Sequence, residues 1–173
     1  TFMTKKMKYS YMNFPHLVER MQLITILTVG ELVVAVIKTY PLAEHFLLSV
    51  STFVMVGFLF VSYVSQTVIG IEHHQERAGV PLVYLHIGIL IAINIMTAGV
   101  EMYYDGQLLE MGSSMVLVGI TLFYVCLFGT SRYNKEGLQM TKQLAMSCFV
   151  VYLIGAILAV LFKNNTLLFF GIL

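Results

Sequence analysis

Glu31 is a carboxylate set inside an apolar run, and no other residue of the sequence is so costly to leave without a partner. It lies in NFPHLVERMQLITILTVGELVVAVI, residues 13–37, which also carries His16, Glu19 and Arg20 near one end. An intramembrane carboxylate commonly binds a proton or a cation, or is bonded by a neighbouring helix. A charged side chain at a bilayer centre costs on the order of 3 kcal/mol on insertion scales, so it is expected to face protein or water. On a helix, residues seven or eleven apart share a face, which aligns Arg20, Leu27 and Glu31 and turns Glu19 elsewhere. Arg20 and Glu31 are then about 16 Å apart at ~1.5 Å per residue. Each needs a partner from another helix.

The elements that must supply those partners follow from hydropathy. Hydrophobic residues make up 58% of the chain and charged residues 11%, against roughly 45–50% and about 25% in soluble domains. With a mean hydropathy of +0.85, this is a membrane composition. Five segments reach spanning length, which is about 20 residues. They are expected at 15–39, 44–70, 82–101, 111–130 and 144–162, with a sixth apolar run at 166–173 that the sequence cuts off. Pro15 suits a first helical turn, while Pro41, Gly79, Pro81 and the Asp105-Gly106 pair mark breaks. The alternating pattern of a transmembrane barrel is missing, and backbone in lipid must be bonded internally. The expectation is an all-α polytopic bundle in a single domain, residues 1–173. The sequence begins without Met and stops inside LLFFGIL, so a piece of a longer chain is expected.

Depth along these helices groups the polar residues into two levels. The inner level comprises His16, Glu19, Arg20, Tyr63, Gln66, Tyr84 and His86. The outer level is Glu31 with Asn94 and Thr97 from the third segment, and Thr52 as a further member. In the second segment His45, Ser49, Thr52, Tyr63 and Gln66 fall within roughly 100° of one another. The inner level is also what an interfacial ion-pair and capping cluster looks like, whereas an interface does not account for Glu31. Gly88 with Ala92, and Gly155 with Ala159, are small-residue steps read as helix-packing sites.

Other chemistry finds little support. Glu72, His73, His74 and Glu76 are potential metal ligands, but their spacing lacks the H-E-x-x-H pattern and a solvated interfacial loop is expected. Cys126 and Cys148 lie in apolar segments and read as buried thiols, with no disulfide or metal expected. Nucleophile elbows and phosphate-binding glycine loops are missing, and helical Ser and Thr hydroxyls are expected to bond their own backbone. A net charge of +1 carries no information about nucleic acid and no basic stripe suggests it, so no nucleic-acid partner is expected. No enzyme activity and no cofactor are expected.

Lys and Arg are distributed unevenly. Lys5, Lys6, Lys8, Arg20, Arg77, Arg132, Lys135 and Lys142 fall on one side, and Lys38 and Lys163 on the other. The positive-inside rule places the first side, with the N-terminus, in the cytoplasm, and the expected location is the inner (plasma) membrane. Tyr103 and Tyr104 then lie at the outer interface.

The first segment resembles the bacterial low temperature requirement A (LtrA) family. NFPHLVER at residues 13–20, Leu23-Ile-Thr-Ile-Leu and Gly30-Glu31 are similar to that family's H-x-x-E-R-x-x-L-x-x-I…G-E pattern. His74-Gln-Glu-Arg, followed by Tyr84-Leu-His86-Ile, is similar to its Y-L-H-x-P-I segment, with Gly88 standing where the pattern has Pro. The specific resemblance covers residues 13–31 and about 84–93, and it is to the C-terminal half of a family member. It implies a multi-pass membrane protein linked to growth in the cold, and it marks His16, Glu19, Arg20, Gly30, Glu31 and His86 as the matching positions. The resemblance names no reaction; with the residues it leads to the expectation of a proton- or cation-linked transporter or channel, with Glu31 in the polar path and Arg20 with His86 as an inner gate or ion-pair cluster. The alternative is a non-transporting scaffold or sensor. Expected partners are membrane lipids and either a missing N-terminal half or further copies of the chain.

Overall fold

A computed structural model describes residues 13–75, 77–105 and 108–173. The lysines at 5, 6 and 8, Glu76, and Gly106 of the turn pair lie outside the described residues. Five long helices follow one another: α1 (Phe14–Thr39), α2 (Phe46–Val64), α3 (Val80–Tyr104), α4 (Leu109–Gly129) and α5 (Lys142–Leu161), then the short α6 (Thr166–Ile172). α2 continues through a π-helical turn, Ser65–Gly70, and α4 through a 3-10 turn, Thr130–Tyr133. All five long segments are long and apolar enough to cross a membrane. Among the described residues there are no strands; one isolated bridge joins Ile71 and Asn134. The protein is a helical membrane bundle.

The boundaries reflect local chemistry. Pro15 and Pro81 both sit in first helical turns, where a missing N–H leaves nothing unbonded. Pro81 is therefore inside α3, not the break before it. α2 begins two residues later than expected because residues 41–45 form a turn, in which the Glu44 and His45 amides donate to the Pro41 carbonyl. Thr141 and Asn165 cap α5 and α6, each accepting from the amide three residues on at 3.2 Å. α6 fills the far end of the bundle: Phe169 stacks on Tyr103 at 4.8 Å and Phe170 lies edge-on to Tyr40 at 5.9 Å.

α3 and α4 form the tightest pair. Gly88, Ala92 and Gly99 of α3 face Gly112, Val116, Gly119 and Cys126 of α4, and the backbones touch where the glycines lie. α1 packs on the other flank of α3, and α2 packs against α1 and reaches α4 through Ser62 and Tyr124. α5 is peripheral. Of its residues only Ala159 is buried, and it meets α4 through the hydrogen bond between Tyr152 and Thr121. Gly155 has open space beside it, so the small-residue step expected in α5 makes no close contact at Gly155. The step in α3 does.

Candidate functional site

α1 and α3 run in the same direction, side by side, and their relative register can be measured at both ends. Val18 shares a buried cluster with Leu82 at the end where α1 begins. Tyr40 lies edge-on to Tyr104 at the far end, ring centroids 5.3 Å apart. Between them, the Tyr63 hydroxyl donates to the Met21 carbonyl at 3.5 Å and its ring meets His86 at 5.9 Å. Both end pairs have the same offset of 64 residues, so Glu31 stands within one residue of the level of Asn94. Arg20 stands likewise at the level of Tyr84, and Lys38 within one residue of Glu101.

These residues do not form a core network. Glu31, Arg20, Glu19, His16 and Asn94 are all exposed and Thr97 is half-buried, whereas His86 is fully buried. The reason is rotational. α1 buries Val18, Thr25, Val29, Leu32 and Val36, and Arg20, Leu27 and Glu31 point well away from that stripe at 100° per residue. α3 buries His86, Ile93 and Val100 on its α1 flank. Asn94 and Glu101 come next around the helix, just outside that contact. The polar residues therefore lie on the exterior of α1 and α3 instead of meeting inside the bundle. Among the described residues Glu31 makes no side-chain hydrogen bond, and Asn94 Nδ2 donates only to its own helix, to the Leu90 carbonyl at 2.9 Å. Arg20 and His86 lie on different faces, so the structure does not bring the expected gate pair together.

Burial and bonding divide the inner level. His16 and Glu19 pair with each other at 3.1 Å, two-thirds exposed, as an interfacial contact. Tyr63 and His86 meet in the core. His86 Nδ1 lies 2.9 Å from the Leu82 carbonyl, and a carbonyl only accepts, so Nδ1 carries the proton and Nε2 presents a lone pair. That Nε2 is buried and has no hydrogen-bond partner among the described residues, and the same is true of Gln22 Nε2. Gln66 belongs to a different group: its Nε2 donates to Asn134 Oδ1 at 2.7 Å and to Thr130 Oγ1 at 3.0 Å. This contact fastens the π-turn of α2 to the end of α4.

Sequence reasoning missed Asn134, Thr130 and Gln22. Asn134 and Thr130 flank a short 3-10 turn after a spanning helix, and only the tertiary fold brings them to Gln66. Gln22 is within α1, yet its single polar group does not stand out beside Arg20. Thr52, expected as a further outer-level member, faces the core and donates to the Leu48 carbonyl at 2.9 Å. Thr25, Thr28, Thr67 and Thr97 likewise donate to the carbonyl one turn back. In the loop after α2, the Glu72 carboxylate accepts from the His74 amide and His73 bonds the Thr67 carbonyl. Cys126 and Cys148 are free thiols, one buried and one half-buried.

Two open recesses flank the bundle. One lies at the far end between residues 44–48 and 164–167, and the other at the near end beside Arg77, Phe128 and Arg132. Glu31 lines neither.

A family model described as bacterial low temperature requirement A protein matches residues 2–172. No curated protein and no solved structure matches the chain.

Proposed function

The chain belongs to the bacterial low temperature requirement A family, and from that premise we propose a proton- or cation-linked transporter or channel with Glu31 in its polar path. The observation that supports this reading is the placement of Glu31: seventeen residues into α1, exposed, with Asn94 at its own level on the neighbouring helix. A carboxylate facing hydrocarbon there costs on the order of 3 kcal/mol, which water, an ion or a polar partner on that face would offset. The path runs along the exterior of α1 and α3, and the bundle behind it acts as the support. His86 and Tyr63 hold α2 against α1 and α3, and the Arg20 level closes the near end of the face. No catalytic step is assigned.

The orientation proposed places the start of α1, and the loops holding Arg77, Arg132 and Lys135, on the cytoplasmic side of the plasma membrane. Five basic residues among those described lie toward that side and two toward the other, and the positive-inside bias follows such counts.

Reconstitution into liposomes with a pH-sensitive dye, and separately with a cation-sensitive dye, tests the function. Glu31→Gln keeps the shape and hydrogen-bonding capacity of the side chain and removes its charge. Flux is expected in the wild type and absent in Glu31→Gln, with both proteins eluting alike in detergent. Wild-type flux through Glu31→Gln sinks the path and favours a scaffold in which the residue only bonds a neighbour.

A further inference from the structure

We propose that the recess at the near end of α4 binds the phosphate of an anionic phospholipid, held between Arg77 and Arg132. The recess measures about 440 Å3, which falls within the ~300–1,000 Å3 of small-ligand sites. Arg77, Arg132, Ser131 and Gln139 supply its polar wall, and Phe128 and Met140 its apolar one. Among the described residues no carboxylate lines it, so the two positive charges add.

The fold aims both guanidinium groups. Arg77 reaches the recess from the loop before α3, and Arg132 from the 3-10 turn after α4. Arg77 Nη1 donates to the Arg132 carbonyl, and Arg132 Nε donates to the Gly129 carbonyl at 3.1 Å. One nitrogen of each is thereby fixed to backbone. Among the described residues the remaining nitrogens have no partner, and neither arginine has an ion pair. A guanidinium carries five N–H donors in a planar fork that matches phosphate oxygens two at a time. A fork already held in place loses less freedom when it binds.

Depth decides which phosphate this is. Phe128 and Gly129 close the last turn of α4, and the spanning segment ends at Tyr133. The recess therefore lies where the helix leaves hydrocarbon, the level of lipid head groups. Val118, Val125 and Gly129 share one face of α4, and Arg132 follows Gly129 by one 3-10 turn, which keeps it on that face. Val118 and Val125 are 56% and 62% exposed. They form an apolar track for acyl chains that leads straight into the basic recess. A soluble phosphate would use the arginines and leave the track idle, whereas basic pockets at helix ends suit acidic head groups. The inference is independent of the Glu31 path and of which side is the cytoplasm.

The test uses the full chain in detergent, with native mass spectrometry counting bound lipid at about 0.15 M ionic strength, where long-range attraction is screened. One phosphatidylglycerol is expected to bind more tightly than phosphatidylcholine, whose choline offsets the phosphate charge. Arg77→Gln and Arg132→Gln are each expected to weaken that binding about tenfold or more, the effect of losing a charge-assisted hydrogen bond. Lys135→Gln removes the same charge outside the recess and is expected to cost no more than about fivefold. Equal weakening by all three variants, or none by either arginine variant, overturns the site. Should Arg132→Gln elute aggregated, Arg132→Lys keeps the charge and loses the fork, and is expected to weaken binding more than Lys135→Gln does; a smaller effect overturns the role of Arg132. Inorganic phosphate added at the lipid's own concentration separates the two sources. It is expected to leave the phosphatidylglycerol bound; displacement overturns the lipid and gives the recess to a soluble phosphate.

Discussion

A methyl group on Gly112 would stand 2.6 Å from the Tyr103 Cα and 2.9 Å from the Gly99 carbonyl oxygen. Those atoms are backbone and cannot rotate away. Gly112→Ala must therefore push α3 and α4 apart, at a cost of about 1–3 kcal/mol for an overpacked site. Gly155→Ala is the matched control: nothing lies within 4 Å of the added carbon, and removing a mid-helix glycine favours the helix by up to ~1 kcal/mol. Thermal unfolding in one detergent should lower the midpoint for Gly112→Ala and leave it unchanged or raised for Gly155→Ala; equal midpoints would mean the close approach of α3 and α4 is not supporting the fold. Residue identity alone could not separate these two glycines, since both sit in apolar helices and only the partner backbone distinguishes them. The same limit applied to the charged residues. Glu31 could be identified from its depth, and Asn94 as its depth partner from the spacing of the segments. Which way they turned could not, because amphipathic patterning in a membrane helix is blurred when both core and lipid faces are apolar.

At the scale of the elements, the long helices were legible because twenty apolar residues have few other options in a bilayer. Their ends were less so. α3 runs on past Glu101 to Tyr104, since a charged residue at an interface need not stop a helix. The π-turn at the end of α2 had no sequence cue. It is held by Gln66 reaching Asn134 and Thr130, and by the Glu72 amide donating to the Tyr133 carbonyl at 2.8 Å. Asn134→Leu leaves the half-buried Gln66 amide short of an acceptor, and one unsatisfied buried group costs about 1–3 kcal/mol. Replacing both members by apolar residues is nearly neutral in comparable cases. The expected result is therefore a lowered unfolding midpoint for Asn134→Leu that Gln66→Leu partly recovers. A double variant that loses the full sum of both single effects would show that the two side chains act independently.

At the scale of the whole molecule, insertion depends on the asymmetry of charge. The near end gathers Arg77, Arg132, Lys135 and Lys142 in loops and helix starts, while at the far end Lys163 is neutralised by Glu110. The far end therefore offers little basic charge to resist translocation, and the orientation proposed above should be uniform across the population. Single cysteines at exposed loop positions, Glu44 at the far end and Glu136 at the near end, test it in the Cys148→Ser background. A membrane-impermeant thiol reagent applied to intact cells should label Glu44→Cys and leave Glu136→Cys unlabelled until the membrane is opened. Labelling of both in intact cells would mean mixed orientation and overturn the uniform insertion. Labelling of Glu136→Cys alone would invert the orientation proposed from the basic residues.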